Sequence, residues 1–119
     1  MKVLIATEKP FAKEALEAIK QELISGGHSV EVLEKYADKA QLLSAVADAN
    51  AMIVRSDVID KSVITAANNL KIVVRAGAGY DSIDTDYAKT KGVVVENTPG
   101  QNANAVAELV FGLLVSLHL

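Results

Sequence analysis

The chain has 119 residues, half of them apolar and 23% charged, with a formal net charge of −3. That composition is globular, and a chain of this size buries about two thirds of its extended surface, so one domain is expected and wholesale disorder is excluded. The absence of cysteine excludes disulfides and thiol chemistry, two histidines cannot build a His-rich metal site, and the negative balance argues against a general nucleic-acid binder.

The elements follow in chain order. Residues 3–6 (VLIA) form a short apolar strand. The run is too short for the h-region of a signal peptide, so a cytoplasmic protein is expected. Pro10 suits the first turn of a helix on which Ala12, Leu16, Ile19 and Leu23 recur at helical spacing, opposite Lys13, Glu14, Glu17, Lys20 and Gln21. Gly26-Gly27 ends it, and residues 29–33 alternate as a second strand. Asp38 and Gln41 resemble a capping box before Leu42, Leu43, Val46 and Ala47 of a second helix. Residues 51–54 (AMIV) are the third strand. Asp60 caps a short helix carrying Val63, Ile64 and Ala67, and residues 71–74 (KIVV) are the fourth strand. Asp84 caps the fourth helix, which Gly92 ends. Residues 93–95 are the fifth strand and 102–119 the fifth helix.

Strand and helix thus alternate five times. Four of the strands are continuous apolar runs, as strands buried on both faces should be. Right-handed crossovers then give a parallel sheet, and the expected architecture is α/β, a flavodoxin-like doubly wound five-stranded sheet of order 2-1-3-4-5 in three αβα layers.

Ligands of open α/β sheets bind beyond the carboxyl ends of the strands. The loops there are 7–10 (TEKP), 55–57 (RSD), 75–84 (RAGAGYDSID) and 97–102 (NTPGQN). Gly77 and Gly79 let backbone approach a ligand and offer N–H groups to an anion, and Arg55 and Arg75 on adjacent strands could flank one carboxylate or phosphate. The bland alternative is that the arginines pair with Asp57, Asp81 or Glu96 and that the glycines only shape a turn. A dinucleotide fingerprint is incomplete here, because Ser82 stands where the third glycine belongs. Asn97, Thr98, Pro99 and Gly100 read as a turn. His28 falls at the wrong end of the sheet and reads as a surface turn, and His118 is equally poor as a general base. The fifth helix is apolar nearly all round, with only Asn104, Glu108, Gly112 and Ser116 as a small or polar stripe. It should be buried on most sides, by a further domain or a partner subunit.

Several of these motifs occur together in a known order. VRSD (54–57), NLKIVVRAGAGYDSID (69–84) and GVVVENTPGQNANAVAELVFGLL (92–114) resemble the amino-terminal part of the D-2-hydroxyacid dehydrogenases, most closely the branch that oxidises 3-phospho-D-glycerate for serine synthesis. The resemblance implies a multi-domain, NAD-dependent oxidoreductase that is dimeric or larger. Residues 1–101 would be its substrate-binding domain, and residues 102–119 the helix that opens the nucleotide-binding domain. It implies that Ala76, Gly77, Ala78 and Gly79 hold the substrate carboxylate. Arg55 and Arg75 would lie near the phosphate, Ser56 would line the pocket, and Asn97, Thr98, Pro99 and Gly100 would form the inter-domain hinge. Asn102–Leu117 would lie in a subunit interface.

No position matches the family's cofactor turn or its catalytic Arg, Glu and His. The expectation is therefore a substrate-binding fragment, natural or engineered, that binds no NAD and is inactive alone. In the intact family a returning helix fills a slot on the sheet. Here the last helix should fold back into that slot or exchange with a second copy. The alternatives are another 2-hydroxy acid as substrate, an isolated module without activity, or, remotely, a receiver-like domain. The receiver pattern is poor because Arg55-Ser56 ends the third strand, with Asp57 beyond it.

Overall fold

The computed structural model describes residues 1–77, 79, 81–98 and 103–116. Five strands, β1 (Lys2–Thr7), β2 (Ser29–Glu34), β3 (Ala51–Val54), β4 (Ile72–Ala76) and β5 (Val94–Thr98), alternate with five helices. These are α1 (Lys13–Ser25), α2 (Lys39–Val46), α3 (Lys61–Ala66), α4 (Thr85–Thr90) and α5 (Ala103–Ser116). All strands pair in parallel in the order β2-β1-β3-β4-β5, the expected topology.

Side-chain alternation along the strands splits the core into two layers. Val3, Ile5, Ala51, Ile53, Ile72 and Val74 face α1 and α5, where Ile19, Leu23, Val106, Val110 and Leu114 meet them. Leu4, Ala6, Met52, Val54 and Val73 face the other side, against Leu42, Val46, Val63, Ile64 and Ala88 of α2, α3 and α4. Both faces of the central strands are therefore dry, and along β1, β3 and β4 polar side chains are confined to the strand ends.

Caps set the starts of three helices. Asp38 accepts the Ala40 amide at 3.0 Å while Gln41 Oε1 accepts the Asp38 amide at 3.3 Å, so the capping box is real. Asp60 accepts the Val63 amide at 3.2 Å, and Asp84 accepts that of Tyr87 at 3.0 Å. α1 departs from expectation. It starts at Lys13 after Ala12, which makes no side-chain cap, and Pro10 and Phe11 stay in the preceding loop. Phe11 is buried in the α1/α5 layer, which holds the chain out of helical geometry until it has turned over the sheet.

The ends of β4 and β5 also run further than expected. Parallel pairing continues through Arg75↔Asn97 and Ala76↔Thr98, so Arg75, Ala76, Asn97 and Thr98 belong to strands rather than to loops. The expected α5 residues Asn102, Leu117, His118 and Leu119 lie outside the described residues, as do Pro99 and Gly100.

α5 folds back onto α1 and β4 of its own chain. Val106, Ala107, Val110 and Leu114 are buried there, and the stripe Asn104, Glu108, Gly112 and Ser116 faces out. Within this chain the burial is one-sided: Phe111 is 39% exposed and Val115 60%. The Phe111 ring sits so close to Gly26 that a Cβ there would lie 2.2 Å from it. It also meets His28 edge to face at 5.7 Å between ring centres. His28 is thus half-buried rather than a plain surface residue. Burial, and then the chain's amino-terminal charge, lower its pKa. Among the described residues, no helix is long and apolar enough to cross a membrane.

Two outcomes follow. Leu114→Ala should cost about 2–5 kcal/mol in urea unfolding, and Val115→Ala less than about 0.5 kcal/mol, because only the former fills the α1/α5 layer. The Lys39 ion pair, then Ser62, hold the Asp60 carboxyl down at about 2. A depressed acid stabilises above its unfolded pKa and loses that contribution as pH falls through its folded one. Stability should therefore drop by about 1 kcal/mol as pH falls from about 4 to 2, the modest size of a solvent-screened pair, and Asp60→Asn should remove that step from acid unfolding curves.

Candidate functional site

Parallel pairing places the carboxyl ends of all five strands at one edge of the sheet, and the loops that follow meet there. The best-buried charge at this edge is Asp57, 3% exposed. Its Oδ2 accepts the Glu8 amide at 2.8 Å and the Tyr36 hydroxyl at 2.5 Å, and its Oδ1 accepts the Arg55 amide at 3.2 Å. A carboxylate is tolerated out of water when donors fill its lone pairs, and here three do. Burial, and then the hydrogen bond to Asp57, push the Tyr36 hydroxyl above its usual range, so it stays a donor at neutral pH. Tyr36 is delivered by Lys35, whose φ of 53° is left-handed and whose amide donates to the Thr7 carbonyl at 3.0 Å. A cleft of about 200 Å³ opens beside this cluster, lined by Glu8, Tyr36, Ala37, Lys39, Leu42 and Val58.

Arg55 follows β3 directly. Its Nη1 donates to the carbonyls of Lys9 at 3.0 Å and Pro10 at 2.9 Å, and its guanidinium lies 5.6 Å from the centre of the Phe11 ring. Much of its hydrogen-bonding capacity therefore goes into holding the loop after β1. The sequence offered Asp57, Asp81 or Glu96 as structural partners. Asp57 does bind Arg55, through the backbone amide rather than the guanidinium. Ser56, between the two, is exposed.

Arg75 stands in register with Val54. Its Nε donates to the Arg55 carbonyl at 2.9 Å, which ties the ends of β3 and β4 together. Strand alternation sends Arg75 to the face of Val73 and Val54, whereas Arg55 lies over Phe11 on the face of α1 and α5. The two arginines are neighbours at one edge but leave the sheet on opposite sides.

Gly77 and Gly79 have φ of 148° and 87°, which only glycine adopts without strain. The Gly77 amide donates to the carbonyls of Arg75 and Thr98, both at 3.1 Å, so it is already used to close the β4–β5 end. A Cβ on Gly79 would lie 3.3 Å from Arg75 Nη1, so backbone passes close over that guanidinium. Ala76 is buried beneath the turn, and Ala78 lies outside the described residues. Of the expected hinge, Asn97 and Thr98 close β5, and Thr98 is buried. The turn is braced from below, where Ile59 donates to the Ser82 carbonyl and Asp84 to the Ile59 carbonyl, at 2.8 and 2.9 Å. Among the described residues, no group of three acidic or histidine side chains is placed to hold a metal.

A model of the D-isomer specific 2-hydroxyacid dehydrogenases, catalytic domain, matches residues 3–112. The chain belongs to that dehydrogenase family. A hydroxypyruvate reductase of Thermotoga maritima is 38% identical over 108 residues, 90% of this chain and 34% of the relative. The NAD⁺-bound 3-phosphoglycerate dehydrogenase of Entamoeba histolytica is 48% identical, with a TM-score of 0.82, over 97% of this chain and 38% of that one. The D-lactate dehydrogenase of Escherichia coli, 22% identical with a TM-score of 0.68 over 98% of this chain and 37% of that one, shares the fold. The chain spans about a third of the length of the curated relatives it matches. Family membership displaces the receiver alternative, and the geometry agrees, since Asp57 is buried with both oxygens accepting from donors of its own chain.

Sequence reasoning named Arg55, Ser56, Arg75 and the glycines at this edge but not Tyr36. The Tyr36–Asp57 bond spans 21 residues, and no local pattern announces it.

Gly79→Ala should destabilise the fold by about 1–2 kcal/mol, because it puts a Cβ at positive φ over Arg75. Gly112→Ala, in the exposed stripe of α5 with nothing near its Cβ, should stabilise it by about 0.5–1 kcal/mol. Thermal unfolding of the two variants checks both signs.

Proposed function

We propose that this chain is the substrate-binding portion of a D-2-hydroxyacid dehydrogenase, with 3-phospho-D-glycerate as the substrate. One observation carries the reading. Two arginines stand at the carboxyl ends of adjacent strands, joined by the bond from Arg75 Nε to the Arg55 carbonyl, with Gly77, Gly79 and the exposed Ser56 beside them. This is a cationic edge suited to an anion with more than one charge. The 48% identity to a 3-phosphoglycerate dehydrogenase supports it. In this reading Ala76, Gly77, Ala78 and Gly79 take the carboxylate, Arg55 and Arg75 bias the site toward the phosphate, and Ser56 lines the pocket. Asn97, Thr98, Pro99 and Gly100 serve as hinge. Residues 1–101 form the substrate domain, and residues 102–119 lead toward a nucleotide domain and a homodimer contact.

Hydride transfer needs nicotinamide set against the substrate carbon and a base for the hydroxyl proton. NAD does not fit the residues described here. The glycine turn lacks the third glycine of a dinucleotide fingerprint, with Ser82 in its place. What these residues can do is bind and orient a hydroxy acid, so the chain alone should give no NAD-dependent turnover.

The relative from Thermotoga maritima favours a second reading, with an unphosphorylated substrate such as hydroxypyruvate. Titration of the isotope-labelled chain, followed by backbone amide shifts, separates the two. Saturable shifts at Ser56, Arg75 and Gly77 with 3-phosphoglycerate, absent with D-glycerate and inorganic phosphate, support the phosphorylated substrate. Equal shifts with hydroxypyruvate and 3-phosphoglycerate support the second reading. No shift with any of them counts against a preformed site in this chain.

A further inference from the structure

We infer that Asp57 is a positioning residue: with Arg55 it forms a two-handed clip that holds the loop after β1 and sets how Arg55 and Ser56 are presented at the edge of the sheet. The carboxylate takes the Glu8 amide, while the guanidinium two residues earlier gives to the carbonyls of Lys9 and Pro10. One loop is thus gripped by its donors from Asp57 and by its acceptors from Arg55. The same carboxylate also accepts the amide of Arg55 itself, closing a tight turn with Ser56 exposed at its tip. Tyr36, arriving from the end of β2, supplies the third donor. Residues following the three adjacent strands β2, β1 and β3 therefore meet on one side chain.

The chemistry explains why an acid sits so close to a cationic edge. A free carboxylate there would repel an anionic ligand. Here two amides and a hydroxyl offset the burial of the carboxylate and turn its oxygens to donors inside the fold, while the guanidinium of Arg55 lies over Phe11. Asparagine has the same shape but one acceptor oxygen and one amide that can only donate, so it cannot hold all three groups. The ligand arm of the test rests on the substrate reading above, and the exchange arm does not.

The test uses the isotope-labelled chain with Asp57→Asn and Tyr36→Phe. Amide hydrogen exchange is read at Glu8 and Arg55, with Val73 and Val74 as a control for the intact sheet. Affinity for 3-phosphoglycerate is read from the Ser56 amide. In Asp57→Asn, exchange at Glu8 and Arg55 should rise together by about tenfold or more while Val73 and Val74 keep their protection, and affinity should fall by about tenfold. Tyr36→Phe, which keeps the carboxylate and both amide bonds, should shift both readouts the same way by less. It carries the comparison if Asp57→Asn does not fold. Unchanged exchange at Glu8 and Arg55 would overturn the clip. Faster exchange with unaltered affinity would overturn the positioning role. If the unsubstituted chain takes up no 3-phosphoglycerate, the substrate reading is what fails. The clip is then decided by exchange alone: joint loosening of the two loops upholds it, and unchanged protection sinks it.

Discussion

β1, β3 and β4 carry apolar side chains on both faces along almost their whole length, and water must be kept from both. The other features follow from that constraint. Two helical layers are needed, and α5 is needed as much as α1, because Ile72 and Val74 would otherwise face solvent. Polar chemistry can begin only where a strand ends. Parallel pairing brings those ends to one edge, so Thr7, Arg55, Arg75 and Thr98 meet there although they are scattered along the chain.

At that edge, charge is balanced by backbone more than by opposite charge. Asp57 is satisfied by two amides and a phenol, and Arg55 spends Nη1 on two carbonyls. Such bonds fix the loops through backbone groups. The arginines leave the sheet on opposite sides, a direct result of the side-chain period of two. Arg75 sits opposite Val54, not opposite Arg55. A ligand between them would be approached across the end of the sheet rather than from one face.

The fold was readable because its signals are local. Apolar runs marked four of the strands and alternation the second, and Asp38, Asp60 and Asp84 marked helix starts by a side chain bonding within three residues. Where the reading slipped, distant contacts had decided. Pro10 looked like a helix start, but Phe11 is drawn into the α1/α5 layer first. Arg75 and Ala76 looked like loop, but their ladder continues because Asn97 and Thr98 are there to pair with them. His28 looked like a surface turn until Phe111, more than eighty residues away, packed on it. At the candidate site the residue types were legible and their commitments were not. Nothing near Arg55 in sequence reveals that Lys9 and Pro10 would claim its Nη1.

Among the described residues, the strand order leaves β2 and β5 as the two rims of the sheet, each with a neighbouring strand on one side. β2 is guarded. Glu31 on it, Asp48 beyond α2 and Lys2 on β1 form a small ion cluster that a strand arriving from outside would have to desolvate. β5 carries Val94 and Val95 half-buried, with Glu96 as its one acidic side chain. The molecule is therefore asymmetric toward templated β-sheet growth. An added strand, whether from misfolded copies during refolding or from an extended peptide, finds lower resistance at the β5 rim than at the β2 rim.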